Sequence, residues 1–445
     1  MKKIIKIANG QGFWGDSIDA PVNLVKGGHI DYLTLDYLAE VTLSIMQKQK
    51  QKNSKLGYAT DFIELIKRIL PSIENNQLKV ITNAGGVNPD SCRDELLKLT
   101  DNIKIGVVKG DDIINDIDIL RNNGVSFDNM DTGQKFEDIS NKIYSANVYI
   151  DSFCIADALD RGARIVLAGR VSDPGLALGP CIHEYNWSKN EYNKIASGTL
   201  AGHITECGAQ CSGGNYTNWK DVPNIANIGY PIIEMSNSGD FSITKHPNTG
   251  GLINKHTISE QILYEMGDPK KYISPDVCVD FTSFHLEEKN KNCVKINSVK
   301  GYQPTDTYKV SISYFAGYKA SGQLTISGPN AYEKAKFTSE IIWKRLKSAG
   351  YDYKDKLTEY LGISSCHGNI DTVPDQINEV VLRLSVKDSD RDKVNRFGKE
   401  IAPVITTGPP GVTGFSGGRP KAQEIVAYWP TLISKDLVKT TVDVL

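Results

Sequence analysis

The feature that most constrains this fold is a regular alternation, over residues 1 to about 185, of short apolar runs with amphipathic stretches. The amphipathic stretches predict helices over residues 38–48, 58–70 and 91–99. The pattern is typical of βα units that build a mostly parallel sheet with flanking helices. The apolar runs predict strands over residues 4–8, 32–36, 79–82, 104–108 and 164–167.

After about residue 225, proline and glycine separate shorter elements than before, and this change in pattern predicts two domains. Residues 1–225 form an α/β domain that carries the loops at the strand ends. Residues 226–445 form a second, α+β domain, with a β-rich run over 272–327 and a Gly/Pro-rich loop over 406–420 near the end. A length of 445 residues agrees with more than one hydrophobic core.

Composition excludes several classes of partner. The chain has 51 basic and 53 acidic side chains and a net charge of −2, so neither nucleic acid nor an anionic membrane is expected as a partner. No apolar window approaches the roughly 18 residues of a membrane helix. Eight cysteines in a chain of this length do not form a disulfide scaffold. We therefore expect a cytoplasmic protein, and a homo-oligomer.

A histidine, a carboxylate and two thiols lie close together in the glycine-rich segment 201–216. His203 and Glu206 are three positions apart, so on a helix they share one face and could exchange a proton or hold a divalent metal. An acid–base pair without metal is the favoured interpretation, and we name no metal ligands. Cys207 and Cys211 are one turn apart, but a buried cysteine is more often a small hydrophobic residue.

A second polar segment, 168–175, follows the apolar run 164–167. Ligands of open α/β sheets bind at the carboxyl ends of strands. The Arg170 guanidinium could hold a carboxylate or phosphate, with Asp173 orienting it or acting as a base. Alternatively, Arg170 and Asp173 form a pair that only fixes the turn.

The first strand is followed by Gly10-x-Gly12-x-x-Gly15, the spacing of a dinucleotide-binding loop. The match is weak, because only Asp36 could supply the acidic residue that holds a ribose, so a nicotinamide cofactor is not expected. The glycines either cradle another anion or make a tight turn. Asp16 could cap the next segment.

Taken together, these segments resemble the acyclic terpene utilisation family, the AtuA-type proteins of terpenoid catabolism. The resemblance covers nearly the whole chain and is carried by residues 9–16, 31–40, 82–86, 168–173, 201–216, 246–251 and 418–420. It implies a role in degrading branched acyl chains as coenzyme A thioesters, by analogy with leucine and terpene breakdown. Many relatives continue into a small ferredoxin-like domain, so a separate ferredoxin-like accessory subunit is a candidate partner.

These observations predict a lyase, either a hydratase/dehydratase or a carbon–carbon lyase, that acts on a small branched acyl-CoA or hydroxy-carboxylate. His203 and Glu206 would transfer protons, while Arg170 and Asp173 complete the catalytic set. The alternative is a non-catalytic subunit that binds an acyl-CoA or acts as a scaffold and needs a small partner protein. The residues expected to bind substrate are Asn9, Gly10, Gly12, Asp16, Asn83, Gly85, Gly86, Asn215 and His246.

Overall fold

The computed structural model of the chain describes residues 3–39, 41–75, 77–363, 365–368, 376–414 and 417–445. Glu40 of segment 31–40, and Phe415 and Ser416 of the predicted Gly/Pro-rich loop, lie outside the described residues. No helix among the described residues combines the length and the apolar character needed to cross a membrane.

The described residues form both strands and helices along the whole chain. The strands are β1 (Ile4–Gln11), β2 (Tyr32–Leu35), β3 (Lys79–Thr82), β4 (Ile105–Lys109), β5 (Ile143–Val148), β6 (Ile165–Leu167), β7 (Ile232–Ser236), β8 (Phe241–Thr244), β9 (Tyr272–Ile273), β10 (Cys278–Asp280), β11 (His285–Asn290), β12 (Cys293–Asn297), β13 (Lys300–Tyr302), β14 (Thr307–Ser327), β15 (Asp355–Leu361), β16 (Glu379–Asp388), β17 (Gln423–Ser434) and β18 (Thr441–Val444). The helices are α1 (Asp19–Gly27), α2 (Thr42–Lys52), α3 (Asp61–Asn75), α4 (Pro89–Leu97), α5 (Ile117–Asn122), α6 (Phe153–Asp160), α7 (Gly175–Tyr185), α8 (Tyr192–Thr205), α9 (Lys255–Leu263), α10 (Ala331–Ser348), α11 (Arg391–Ile401) and α12 (Val404–Thr407).

The main sheet is mixed, with the order β11-β12-β8-β7-β1-β2-β3-β6-β4-β18. Its central strands β1, β2, β3, β6 and β4 run parallel, and they are the five strands that the apolar runs predict. The other strands extend the sheet with antiparallel pairs, because β7 pairs with β1 and β18 pairs with β4. The α/β class is confirmed, whereas a mostly parallel sheet describes only the centre.

Helix α3 shows how the flanking layer is built. Its buried side chains repeat with helical spacing, which gives the helix one apolar face. These side chains join the core cluster that also contains Leu33, Val80 and Ile105 of the parallel strands. The buried side chains of α3 are Phe62, Leu65, Ile66, Ile69 and Ile73.

The chain divides into two compact units, one comprising Met1–Ser313 with Tyr428–Leu445 and the other Tyr314–Ala427. The predicted boundary at residue 225 differs from this division and lies inside the first unit. The reason is that β7, which follows residue 225, pairs with β1 at the centre of the main sheet.

The second unit has its own core and a βαββαβ connectivity. Its elements follow the order β14, α10, β15, β16, α11 and β17, with the short α12 before β17. The strands are arranged in the order β15-β16-β14-β17, and β16 is antiparallel to both of its neighbours. This is the ferredoxin-like, or split βαβ, topology. The predicted helix over 331–348 and the predicted strand over 380–386 are both confirmed here.

Candidate active site

Polar side chains line the edge of the main sheet where the parallel strands end. Each is buried, although buried polar groups are uncommon unless they are hydrogen-bonded or functional. A site at the carboxyl ends of strands is the expected location in an open α/β sheet. These residues are Asn9 and Gln11 on β1, Asp36 after β2, Asn83 after β3, Asp111 after β4 and Arg170 after β6.

Arg170 is held by protein groups on several sides. Its guanidinium donates to the Leu38 carbonyl at 2.8 Å and to Asp173 Oδ1 at 2.5 Å. The guanidinium carbon also lies 4.3 Å from the centre of the Tyr149 ring, a cation–π contact. These contacts fix the loop that carries Asp173, which agrees with the turn-fixing alternative for this pair.

Asp111 is hydrogen-bonded to the same loop, and this role was not predicted from the sequence. Its Oδ2 accepts hydrogen bonds from the Arg170 backbone N–H at 2.8 Å and from Asn147 Nδ2 at 2.9 Å. A Cβ at Gly169 would overlap the Asp111 carboxylate, so only glycine allows this approach. Burial raises the pKa of Asp111 to about 6, and its two hydrogen bonds oppose that rise.

His203 and Glu206 form the hydrogen-bonded pair that their spacing predicts. His203 lies in the last turn of α8 and is 1% exposed. Its Nδ1 is 3.0 Å from Glu206 Oε1, and its Nε2 is 3.3 Å from the Ile262 carbonyl. The imidazole also packs against the rings of Tyr272 and Phe281, each with its centre 5.3 Å away. The pair therefore sits in an aromatic, nearly dry environment.

The electrostatics of the pair follow from this burial. Burial raises the pKa of Glu206 to about 7; His203 opposes the rise, and the Asp173 and Glu265 carboxylates add to it. Burial disfavours a charged imidazole, but the Glu206 carboxylate outweighs that effect and raises the pKa of His203. Glu206 Oε2 is buried and has no hydrogen-bond partner among the described residues. A group that titrates near neutrality, with one oxygen unused, can accept or donate a proton.

A glycine in α8 brings this pair next to the Arg170 loop. A Cβ at Gly202 would overlap the carbonyl oxygen of Pro174, so the helix and the loop touch at this point. Asp173 is close enough to raise the pKa of both Glu206 and the buried Asp36. The four predicted catalytic residues, His203, Glu206, Arg170 and Asp173, therefore belong to one cluster.

A cavity of about 400 Å³ opens beside this cluster. Asp173, Tyr272 and Glu265 line one part of it. The tyrosine and glutamate were not predicted, because a lone residue in a loop carries no pattern. Lys309 lies at the wall, 4.9 Å from the centre of the Tyr149 ring. Apolar side chains of Met130, Ile273 and Leu432 form much of the remaining wall.

The loop after β1 is held by protein contacts. Asn9 Oδ1 accepts from the Gln11 backbone N–H at 3.0 Å, and Asp16 Oδ2 accepts from the Gly12 N–H at 3.1 Å. A Cβ at Gly10 would come within 2.7 Å of Pro21 Cβ. A Cβ at Gly12 would come within 2.7 Å of the Cys207 carbonyl carbon, so the chain after α8 fills the space beside this glycine. The loop thus abuts the His203–Glu206 helix end.

The turn after β3 is also tied into the sheet edge. Asn83 Nδ2 donates to Asp36 Oδ1 at 2.7 Å, while Asn83 Oδ1 accepts from the Tyr37 N–H at 2.7 Å. Gly86 has a φ of +52°, which a glycine adopts readily, and a Cβ at Gly85 would approach Pro89 Cβ to 2.8 Å. The turn orders the carboxyl end of β2, and Asn83 positions Asp36.

Comparison with known proteins supports the resemblance carried by these motifs. The model of the family described as "Acyclic terpene utilisation family protein AtuA" matches residues 5–444. The chain belongs to the acyclic terpene utilisation family. No curated protein and no solved structure matches it.

Two of the predicted substrate-binding residues, His246 and Asn215, make contacts outside the His203–Glu206 cluster. His246 Nε2 is 2.8 Å from the Leu24 carbonyl, so the imidazole packs on the end of α1. The neighbouring Lys245 donates to the carbonyl of Thr249 at 2.9 Å, within the same turn. Asn215 is exposed and lines a different pocket, next to α9.

A metal site needs more donors than His203 and Glu206 provide together. Within the described ranges, no group of three or more His, Cys, Asp and Glu side chains is arranged to hold a metal ion. The geometry of the pair itself is that of a direct hydrogen bond between imidazole and carboxylate.

Proposed function

We propose that this member of the acyclic terpene utilisation family is a lyase, a hydratase/dehydratase or carbon–carbon lyase. Its proposed substrate is a small branched acyl-CoA or a hydroxy-carboxylate. The observation that carries the proposal is the buried His203–Glu206 pair, in which Glu206 Oε2 has no partner among the described residues. Elimination next to a carbonyl needs an acid–base group whose pKa lies near the working pH, and Glu206, with a pKa of about 7, can take up the proton that leaves the substrate.

Asp173 is the member of the cluster that reaches the proposed substrate. Its side chain is 37% exposed and lines the cavity, whereas the side chains of His203 and Glu206 are 1% and 10% exposed. In the proposed reaction, Asp173 removes or delivers the proton at the substrate. The Glu206–His203 pair, whose Glu206 carboxyl is close enough to interact electrostatically with Asp173, then takes up that proton, while the contact with Arg170 keeps the Asp173 carboxylate in place.

The walls of the cavity suit a branched acid. Met130, Ile273 and Leu432 offer apolar surface to an alkyl group. Lys309 lines the cavity with its ammonium over the Tyr149 and Tyr428 rings, so this cation can meet a carboxylate or polarise a thioester carbonyl. This assigns to Lys309 the anion contact that the sequence suggested for Arg170.

The test compares turnover with binding in variants of the buried pair. His203→Asn and Glu206→Gln keep side-chain volume close to that of the wild type but remove the acid–base chemistry. Turnover of branched acyl-CoA thioesters and hydroxy acids, followed by mass spectrometry, should fall about 10²- to 10⁴-fold. Affinity, measured by calorimetry, should change little.

Matched controls are His285→Asn and Glu340→Gln, which alter exposed residues of the same types. These variants should retain both turnover and affinity. Equal turnover by Glu206→Gln and the wild type would reject the proposed role of the pair.

One observation favours the alternative, a non-catalytic acyl-CoA-binding or scaffolding subunit that needs a small partner protein. His203 and Glu206 stand behind Tyr272 and do not themselves form the cavity wall. Under this alternative, the wild type binds a thioester but converts none of the compounds. A cytoplasmic location, a homo-oligomer and a ferredoxin-like accessory subunit stay predictions, and light scattering of the purified protein tests the second.

A further inference from the structure

A second pocket, of about 260 Å³, lies between helix α9 and the loop that follows Gly208–Ser212. Tyr216 and Asn215 contribute to one wall, and Gln261 and Tyr264 to the other. It shares none of its lining residues with the cavity beside Asp173. Nothing in the proposed lyase reaction uses this pocket.

The decisive feature of the pocket is the carboxamide of Gln261. This side chain is 1% exposed, and its Nε2 and Oε1 have no hydrogen-bond partner among the described residues apart from a weak interaction with the Cys207 thiol, which does not line the pocket. Thr257, one turn earlier on the helix, directs its hydroxyl to the backbone of Asn254 and satisfies the N-terminus of α9 instead. An unpaired buried amide loses its hydrogen bonds to water without replacement. A ligand that supplies both partners would restore them.

The charge of the pocket selects a neutral ligand. Its lining contains no Lys, Arg or His, and its one charged residue is Glu260, whose carboxylate accepts from the Thr217 N–H at 3.0 Å. An anion would gain no cation and would lie near a carboxylate. Two tyrosines in the lining, Tyr216 and Tyr264, favour a flat molecule. The volume is below that of a drug-sized site, so it suits a ligand of about one ring system.

We propose that this pocket binds a neutral planar molecule that presents a hydrogen-bond donor beside an acceptor to the Gln261 carboxamide. An amino-heterocycle edge such as that of adenine, or an aromatic carboxamide, has this pattern, and glutamine pairs with adenine in two hydrogen bonds. The inference does not depend on the proposed lyase activity. It also gives Asn215, singled out in the sequence as a substrate contact, a place at a ligand site.

Binding of two probes, adenosine and benzamide, to the whole protein tests this assignment by calorimetry. At least one of them should bind the wild type, and benzoate, which has the shape of benzamide but carries a negative charge, should bind at least tenfold more weakly. Gln261→Leu should weaken probe binding about tenfold or more. Gln47→Leu is the matched control, because Gln47 Oε1 is also buried without a partner but lies on α2, outside the pocket.

Gln261→Leu should fold, because it replaces an unpaired buried amide with an apolar group, and its melting temperature should equal or exceed that of the wild type. Tyr264→Leu, at a residue 36% exposed, gives an independent variant that should also bind the probe more weakly. The proposal is overturned if the wild type binds neither probe, if benzoate binds as well as benzamide, or if Gln261→Leu and Tyr264→Leu both keep wild-type affinity.

Discussion

Replacing Asp111 with asparagine should stabilise the protein above pH 6 and should have no such effect near pH 4. In the folded protein, burial raises the pKa of Asp111 from its ordinary value of 3.8 to about 6. The folded state therefore holds this proton at pH values where the unfolded chain has already released it. Stability from this group is fully present below pH 3.8 and is lost as the pH rises through about 6.

The size of the effect follows from the pKa. At 1.36 kcal/mol for each pKa unit, ionising Asp111 in the folded protein costs about 3 kcal/mol. Asparagine never ionises, so it avoids this cost. It can also keep both existing hydrogen bonds, because the Arg170 N–H and Asn147 Nδ2 both donate to the same oxygen, Oδ2, which the asparagine carbonyl can replace.

Urea unfolding of both proteins at several pH values between 4 and 8 measures the difference directly. The free energy of unfolding of Asp111→Asn relative to the wild type should rise by about 2.5 kcal/mol between pH 4 and pH 8. Asp118→Asn, at an exposed aspartate of α5, is the control and should show no such rise. A difference that does not change with pH would refute the reasoning. A loss of stability at every pH, including pH 4 where Asp111 is neutral, would show that the loop needs the carboxyl group itself and does not accept an amide in its place.

Two further changes test how the site is assembled. Gly202→Ala places a methyl group against the Pro174 carbonyl, so it should lower the free energy of unfolding by about 1–3 kcal/mol and reduce any turnover. The control is Gly267→Ala, which has open space around it and should leave urea unfolding close to that of the wild type. Asn254→Ala removes the capping box that Asn254 forms with Thr257 at the start of α9 and should cost about 1 kcal/mol, so an unchanged urea midpoint would contradict the role of this cap.

The centre of the fold could be predicted because a strand that is buried on both faces is apolar at nearly every position of its sequence. Strands β2 and β6 are buried at every position; β6 is a short continuous apolar run, and β2 is apolar except for the buried Thr34. The antiparallel extension could not be found in the same way. Strand β7 looks like any short apolar run, and only its pairing with β1 joins it to the first unit.

The site residues divide in the same way, into pairs that are close in sequence and contacts between residues that are far apart in sequence. His203 with Glu206, and Arg170 with Asp173, are each three positions apart, and both pairs are hydrogen-bonded as the spacing indicates. Asp111 is 59 positions from its partner Arg170, so no spacing rule could link them. The contact of His246 with the Leu24 carbonyl joins residues 222 positions apart, so it could not be predicted from spacing either.

Three glycines show that the group that closely approaches a glycine backbone can come from the chain itself. Glycine in a polar loop indicates that something approaches the backbone closely, and a ligand is one candidate. In this protein the approaching groups are parts of the chain itself: Asp111 at Gly169, Pro174 at Gly202 and Cys207 at Gly12. These three contacts join the loops after β1, β4 and β6 to the end of α8. The chain fills the space beside each of these glycines, so we propose the cavity that Asp173 and Tyr272 line as the route by which a substrate would reach the His203–Glu206 cluster.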